Sequence, residues 1–120
     1  MNNLKMFCIT LEPSHLNFIK SLNYVPVGLG EKKFSSDFIN DRNGDNISKK
    51  NKNYGEYTFH YWLWKNHLNK IESEWIGFCQ YRKFFTKKDM ETNDISFENL
   101  QSISIREIDN NNFDCILGNR

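Results

Sequence analysis

Three polar side chains lie at helical spacing within an otherwise aromatic stretch of this chain. Glu56 and His60 are four residues apart, and His67 follows seven residues after His60, so a helix would present all three on one face. A carboxylate beside an imidazole can move a proton between reacting groups or hold a metal ion. The alternative is a helix-capping Glu56 beside a core histidine whose hydrogen bonds are satisfied, with His67 near the helix C-terminus as a partner of the helix dipole.

A second candidate follows the apolar run Trp75–Gln80. The composition of this run predicts a strand covered on both faces, and Gly77 within it would allow a backbone or a ligand to come close. Tyr81 and Arg82 then occupy the carboxyl end of the strand, where open α/β sheets bind ligands. A guanidinium can hold a phosphate through two hydrogen bonds, and a tyrosine can stack or hydrogen-bond. The alternative is a structural ion pair between Arg82 and an aspartate of the long irregular segment from Gly30 to Lys52.

Other kinds of site lack their motifs. The chain contains no Gly-x-x-x-x-Gly-Lys, no Gly-x-Ser-x-Gly and no Gly-x-Gly-x-x-Gly, so P-loop, hydrolase and dinucleotide-binding functions have no support. Hard cations need clustered carboxylate oxygens. No Asp-x-Asp occurs, and the nearest carboxylate pair is Asp89-Met90-Glu91. The sequence therefore predicts no metal ligand.

The elements that must position these groups alternate between strands and helices. This alternation predicts an α/β layered domain with a mainly parallel sheet. Pro26 cannot donate to a strand ladder, which predicts that its strand lies at an edge of the sheet or pairs irregularly. The predicted strands are Lys5–Thr10, Tyr24–Leu29, Trp75–Gln80 and Phe113–Leu117; the predicted helices begin at Pro13 (with Leu16, Ile19 and Leu22 inward), at Asn53 and around Phe97.

The aromatic helix is predicted to be buried on most of its sides. Asn53 can cap it, and Glu56 three positions on completes a capping-box-like pair. Two sets of apolar residues, a stripe and a second group, together cover most of the circumference of the helix. We expect these aromatic side chains to form core, with stacking on a sugar as the alternative for Tyr61, Trp62 and Trp64. The stripe consists of Tyr57, Tyr61, Trp64, Leu68 and Ile71, and the second group of Phe59, Trp62 and Leu63.

The segment from Gly30 to Lys52 shows no sustained period of either kind. An irregular connection this long is uncommon within a compact domain and is usually functional or disordered. Its sequence Asp41-Arg42-Asn43-Gly44-Asp45-Asn46 is typical of turns, because Gly and Asn tolerate positive φ and Asp and Asn bond the local backbone. A functional loop and a mobile surface loop are both consistent with this pattern.

Composition bounds the class of protein. The 120 residues carry a net charge of +1, which excludes a general nucleic-acid binder held by phosphate neutralisation. Three cysteines, Cys8, Cys79 and Cys115, lie in apolar runs without paired spacing, which predicts buried thiols in a reducing compartment. No signal peptide and no run of ~20 apolar residues is present. We therefore expect a cytoplasmic protein, with peripheral membrane association left open, and we assign no function to the abundant Asn and Lys.

The chain resembles a known bacterial family in three pieces taken together. These are the loop Gly44-Asp45-Asn46-Ile47-Ser48, the helix segment Tyr61-Trp62-Leu63-Trp64-Lys65-Asn66 and the strand end Gln80-Tyr81-Arg82. The family is filed as domain of unknown function four-four-two-two and is described as capsular polysaccharide or exopolysaccharide biosynthesis glycosyltransferases. Lys83 stands where a second arginine is common in the family, and Leu11-Glu12 is more acidic than expected after a first strand.

The resemblance implies a GT-A-like (Rossmann-like) fold and transfer of a sugar from a nucleotide-sugar donor to a saccharide or lipid-linked saccharide acceptor. Residues 1–120 would be one domain, the N-terminal donor-side part of a longer one. In the segment Tyr81-Arg82-Lys83, the two cations would neutralise phosphate where related enzymes bind Mg²⁺ or Mn²⁺, and a divalent cation stays possible.

The same resemblance suggests Asp45 and Asn46 for sugar or ribose hydroxyls, with Glu56 and His60 facing the cleft. The alternatives from other classes are a non-catalytic carbohydrate- or nucleotide-sugar-binding remnant and a purely structural interaction module.

Overall fold

The computed structural model describes residues 4–81 and Cys115, and within them it forms a parallel three-stranded sheet with helices on both faces. The strands are β1 (Leu4–Thr10), β2 (Val25–Gly28) and β3 (Trp75–Gln80). The helices are α1 (Leu16–Ser21), α2 (Asn51–Tyr54) and α3 (Tyr57–Asn66), with short 3-10 helices at Pro13–His15, Ser48–Lys50 and Leu68–Lys70. The predicted helix near Phe97 lies outside the described residues. Of the predicted strand Phe113–Leu117, only Cys115 is described. Cys115 is exposed and lies outside any helix or strand.

The strand order is β2-β1-β3, and both pairings are parallel. Cys8 of β1 lies opposite Pro26 on one side and Cys79 on the other. Among the described residues β2 is the outermost named strand on its side, and beyond it Val27 makes an isolated parallel bridge to Ile39, so the strand of Pro26 has the irregular pairing that was one of the two alternatives. Because β1 lies between the two other strands, its carboxyl end is central to one edge of the sheet.

The core has two parts, one on each face of the sheet. Side chains alternate between faces along a strand, so neighbouring residues of β1 belong to different clusters. The first cluster lies under α3 and the second under α1. The first contains Phe7, Ile9, Val27, Leu29, Phe59, Trp62 and Leu63, and the second contains Cys8, Ile19 and Cys79.

The prediction that the aromatic helix is buried on most sides is wrong. Phe59, Trp62 and Leu63 are buried against the sheet, with Phe59 5.5 Å from Phe7 between ring centroids. Most of the other apolar stripe faces outward, and Tyr57 and Trp64 are 65% and 61% exposed, whereas Ile71 packs against the core. The helix has two apolar faces, and the sheet can cover only one of them.

The predicted cap at Asn53 is also wrong. Asn53 lies within α2, and Gly55 then breaks the helix with φ 55° and ψ −127° before α3 begins. The side chain of Asn51 connects the two helices, since its amide nitrogen donates to the Gly55 carbonyl at 2.9 Å and to Thr58 Oγ1 at 3.1 Å. The two short helices therefore meet at an angle fixed by a glycine conformation that other residues rarely adopt.

Two predictions about β3 and its neighbours need correction. Residues Trp75 to Phe78 are half-buried rather than covered on both faces. The space beside Gly77 is filled by the end of the Met6 side chain, since an added Cβ would lie 2.7 Å from the Met6 sulfur. The expectation of buried thiols holds for Cys8 and Cys79 and is wrong for Cys115.

Candidate functional site at the carboxyl edge of the sheet

The three parallel strands end together at one edge, at Thr10, Gly28 and Gln80. Ligands of open α/β sheets bind beyond such carboxyl ends, because the loops that follow the strands converge there. The described part of this edge contains the turn after β1, the start of the long segment after β2, and Tyr81 after β3. These three pieces define the candidate site.

The turn after β1 is fixed by the buried Thr10. Its hydroxyl oxygen accepts from the Glu12 backbone N–H at 3.1 Å and lies 2.7 Å from His15 Nδ1. The Glu12 carboxylate forms an ion pair with Lys32 after β2, and this hydrogen bond lowers the pKa of Glu12. The acidic residue that departs from the family pattern is therefore neutralised by a lysine of the neighbouring loop.

Tyr81 packs on the α1 side of this edge. Its ring stacks on the His15 imidazole with centroids 3.5 Å apart and 11° between planes, and Phe18 meets it edge-on at 5.7 Å. Its backbone N–H donates to the Ile9 carbonyl at 2.9 Å, which extends the pairing of β3 with β1. The sequence prediction that Tyr81 lies at the carboxyl end of a strand is confirmed. Arg82 and Lys83 lie outside the described residues.

An open cleft of about 750 Å³ lies at the same edge, beyond β1 and β2. Four cationic side chains and one carboxylate line it, so its walls carry a net positive charge. The Arg42 guanidinium donates to the Gly30 carbonyl, which fixes its position at the mouth. The lining residues are Leu11, Gly30, Glu31, Lys32, Arg42, Ser48, Lys49, Asn51 and Lys52.

Arg42, Lys49 and Lys52 are the cations of this cleft that form no ion pair within the described residues. Lys32 is already paired with Glu12. Within residues 4–81, neither Lys49 nor Lys52 forms an ion pair, and both are exposed. Lys50, between them, does not line the cleft. An anion entering the cleft would thus meet two lysines whose charge no protein carboxylate of this part of the chain compensates.

Glu56 and His60 lie on the α3 side, near the end of β3. The Glu56 carboxylate accepts a hydrogen bond from the side-chain amide of Gln80. The His60 ring meets Phe78 edge-on, with centroids 4.4 Å apart. Burial lowers the pKa of His60, and the charge of Glu56 opposes this change. His60 is therefore a neutral imidazole at neutral pH, half-buried against an aromatic ring.

Asp45 holds the loop against α3, and Asn46 fixes the turn within the loop. The Asp45 carboxylate accepts from the Tyr61 hydroxyl at 2.9 Å, and its backbone groups bond the Asn66 side chain at 3.2 and 2.7 Å. The Asn46 amide donates to two carbonyls, those of Arg42 and Gly44, and its oxygen accepts from Ser48. Both side chains thus have local structural partners.

The predicted site residues do not form one group within the described residues. Asp45 contacts α3 at Tyr61 and Asn66, which lie five and ten residues after Glu56, ~8 and ~15 Å along a helix. Tyr81 belongs to the cluster under α1, whereas Asp45 contacts α3 on the opposite face. Glu56 and His60 are close to each other and to the end of β3, and their roles stay predictions.

Several residues at the edge were not identified from the sequence. Thr10 and His15 follow from the rule that sites lie at carboxyl ends of strands, which also applies to β1. Lys49 and Lys52 carried a weaker signal, a cluster of lysines within the long irregular segment. Lys32 and Arg42 carried none, because only the folding of that segment brings them to the edge.

The described residues do not form a cation site by themselves. Across residues 4–81 and Cys115, no three His, Cys, Asp or Glu side chains gather closely enough to share an ion. Asp41 is buried, and within these residues its Oδ2 has no hydrogen-bond partner, but a single carboxylate does not satisfy a hard cation. A divalent cation therefore stays a prediction for experiment. No helix in this part of the chain has the length and apolar character needed to cross a membrane.

Comparison with solved structures defines the class. The chain is similar to the apo structure of the WbbM bifunctional glycosyltransferase, with a TM-score of 0.56 and 32% sequence identity. The match covers 72% of this chain and 15% of that protein, so the chain corresponds to a small part of it. The parallel sheet with flanking helices is therefore a glycosyltransferase-like domain. No curated protein matches the chain.

The chain belongs to the family described as Domain of unknown function (DUF4422), whose model matches residues 5–119. This match includes the whole described sheet and the cationic cleft. The resemblance drawn from the loop, helix and strand-end sequences is confirmed at the level of the family.

Proposed function

We propose that this chain is the donor-side part of a longer glycosyltransferase domain that transfers a sugar from a nucleotide-sugar to a growing capsular polysaccharide or exopolysaccharide. The observation that carries the proposal is the positively charged cleft at the carboxyl edge of the sheet, in a chain whose structural neighbour is a glycosyltransferase. The acceptor would be a saccharide or a lipid-linked saccharide.

The charge of the cleft fits a nucleoside diphosphate. A diphosphate needs several cationic partners, and charge-assisted hydrogen bonds from lysine and arginine are the strong ones. Lys49 and Lys52 have no competing carboxylate within the described residues. Arg42, positioned on the Gly30 carbonyl, can add further N–H donors.

Transfer would use the same cations twice. They hold the donor in place, and they stabilise the charge that develops on the leaving diphosphate as the glycosidic bond breaks. Arg82 and Lys83, which follow Tyr81 in sequence, are proposed to supplement them, with or without a divalent cation. The base that accepts the proton of the acceptor hydroxyl is proposed to lie in the remaining part of the domain.

The experiment is calorimetric titration of the intact protein with a panel of nucleotide-sugars and free nucleoside diphosphates. The double variant Lys49→Ala/Lys52→Ala is expected to weaken binding at least about tenfold, ~1.4 kcal/mol. The single variants Lys49→Ala and Lys52→Ala are each compared with Lys50→Ala, which removes one lysine charge from the same segment outside the cleft. Equal loss in the control would mean that overall charge, rather than the cleft, is responsible.

A measurement of turnover distinguishes an active glycosyltransferase from a non-catalytic binding remnant. Release of nucleoside diphosphate in the presence of acceptor is expected for the enzyme, whereas binding without release would favour the remnant. Arg82→Ala is expected to lower turnover, and an unchanged rate would remove Arg82 from the site. The same assay with a chelator decides whether a divalent cation is needed.

A further inference from the structure

One cation of the cleft is engaged by a carboxylate that lies outside the cleft. Lys32 lines the cleft, yet its ammonium forms an ion pair with Glu12 of the turn after β1, which is not part of the lining. The four cations and one carboxylate of the lining give it a formal charge of +3, and counting Glu12 with its partner lowers this to +2. The charge that a ligand meets therefore depends on whether this ion pair is closed or open.

Glu12 is the fixed partner of the pair, and Lys32 is the movable one. The backbone N–H of Glu12 donates to the buried Thr10 hydroxyl at 3.1 Å, and its carbonyl accepts from the His15 N–H at 3.2 Å. Lys32 lies outside any helix or strand, and its ammonium is carried on a flexible stem. The side chains of Lys32 and Glu12 are 60% and 38% exposed. An ion pair this exposed contributes little to stability, so it can open while the fold is kept.

The Glu12 carboxylate keeps favourable surroundings when Lys32 leaves it. The pKa of Glu12 is lowered first by the hydrogen bond from Lys32, and further by the nearby backbone N–H of Ser14 and the charge of His15. The carboxylate is also in contact with water, so opening the pair leaves no buried unpaired charge.

The negative charge on the phosphates of the donor rises during transfer. The bond between the anomeric carbon and the terminal phosphate oxygen breaks, and that oxygen keeps the electron pair. The acceptor oxygen bonds the carbon, and its proton goes to the base proposed for the remaining part of the domain. A nucleotide-sugar carries about two negative charges on its phosphates, and the free diphosphate carries roughly one more, because the second pKa of a terminal phosphate is about 6.

We propose that Lys32 is a reserve cation of the cleft, which Glu12 holds beside the intact nucleotide-sugar and which moves to the diphosphate as the glycosidic bond breaks. This inference rests on the proposed function and adds to it the pair of residues that makes the cleft respond to the charge of its ligand. The closed pair suits the donor, and the open pair suits the leaving diphosphate. An interaction made only after the charge has developed raises kcat without tightening donor binding.

The test is calorimetric titration of the intact protein with a nucleotide-sugar that binds the parent, with the corresponding free nucleoside diphosphate, and with inorganic pyrophosphate. Glu12→Gln should tighten binding of the diphosphate and of pyrophosphate about threefold, and that of the nucleotide-sugar less than about 1.5-fold. In the Lys32→Gln background the same change should have no effect, because no cation is left to release. Asp37→Asn is the matched control, since Asp37 belongs to an exposed ion pair with Lys20 that does not line the cleft.

Kinetic measurements add a result that a merely structural ion pair would not produce. Lys32→Gln should lower kcat for release of the nucleoside diphosphate about fivefold and leave KM for the nucleotide-sugar within about twofold of the parent value. Lys20→Gln removes the lysine of the control pair and should leave both constants unchanged.

Three results would overturn the inference. The first is a Glu12→Gln protein whose affinity for the diphosphate equals that of the parent or of Asp37→Asn. The second is tightening that persists without Lys32 or is equal for the nucleotide-sugar, which would mean that the field of Glu12 alone is responsible. The third is weaker binding in Glu12→Gln, which would mean that Glu12 itself contacts the ligand. A parent that binds pyrophosphate and no nucleotide-sugar would contradict the proposed function, and the pyrophosphate titrations would still decide whether Glu12 withholds Lys32.

Discussion

Replacing Gly55 by alanine tests whether the chain breaks between α2 and α3. The substitution should lower the free energy of unfolding if there is a break at Gly55, and raise it if one continuous helix runs through this position. In the structure, Gly55 has φ 55° and ψ −127°, between α2 and α3. Nothing lies within 4 Å of an added Cβ, so the substitution changes backbone strain without changing packing. An L-residue held in this region costs ~1–3 kcal/mol. Alanine also restricts the unfolded chain, which offsets ~0.4–1 kcal/mol.

The two ranges combine to a free energy of unfolding lower by ~0–2.6 kcal/mol, with a midpoint of ~1.3 kcal/mol. If the helix instead ran without interruption from Asn53, Gly55 would lie in its first turn. The same substitution would then stabilise the protein by up to ~1 kcal/mol, because alanine is the better helix former. The sign of the change therefore distinguishes the two arrangements.

Urea unfolding followed by circular dichroism measures this sign, with the slope m compared to confirm that the same surface is exposed. Asn53→Ala is the control, since Asn53 is exposed in α2 and no side-chain cap is formed. A true cap at this position would cost ~1 kcal/mol, whereas the structure predicts a change within ~0.5 kcal/mol. A stabilised Gly55→Ala protein together with a destabilised Asn53→Ala protein would refute the break between α2 and α3.

Three further predictions concern buried groups. Burial lowers the pKa of His60, so the folded state binds fewer protons than the unfolded chain, and the free energy of unfolding should fall as pH decreases from about 6.5, less steeply in His60→Gln. Burial raises the pKa of Tyr24 to about 12. Absorbance titration should therefore show a tyrosine that ionises near that pH and that is absent in Tyr24→Phe. The free energy of unfolding should fall as the pH rises from about 10 to about 12. Gly28→Ala would place a Cβ 2.4 Å from the Phe34 ring and should lower the free energy of unfolding in urea by ~1–3 kcal/mol. Gly77→Ala, which meets only the flexible end of a methionine, should cost less, and equal costs would contradict the packing at Gly28.

The order of strands and helices followed from local patterns. Short apolar runs, the proline before α1 and the non-donating Pro26 depend on neighbouring residues alone, and the sheet has the parallel pairing that they predict. The same reasoning placed Tyr81 at a strand end, because the end of an apolar run can be read directly. Family membership rested on residue identities in three pieces of the chain, which needs no coordinates.

Only the tertiary structure decided which side of α3 is buried. The helix has two apolar faces of similar hydrophobicity, and the choice depends on how Phe59 and Trp62 fit against Phe7 of the sheet. The positions of Lys49 and Lys52 could not be predicted from the sequence either, because the segment that carries them shows neither helical nor strand periodicity. A periodic pattern specifies which residues share a face, whereas shape complementarity between elements far apart in sequence specifies what that face contacts.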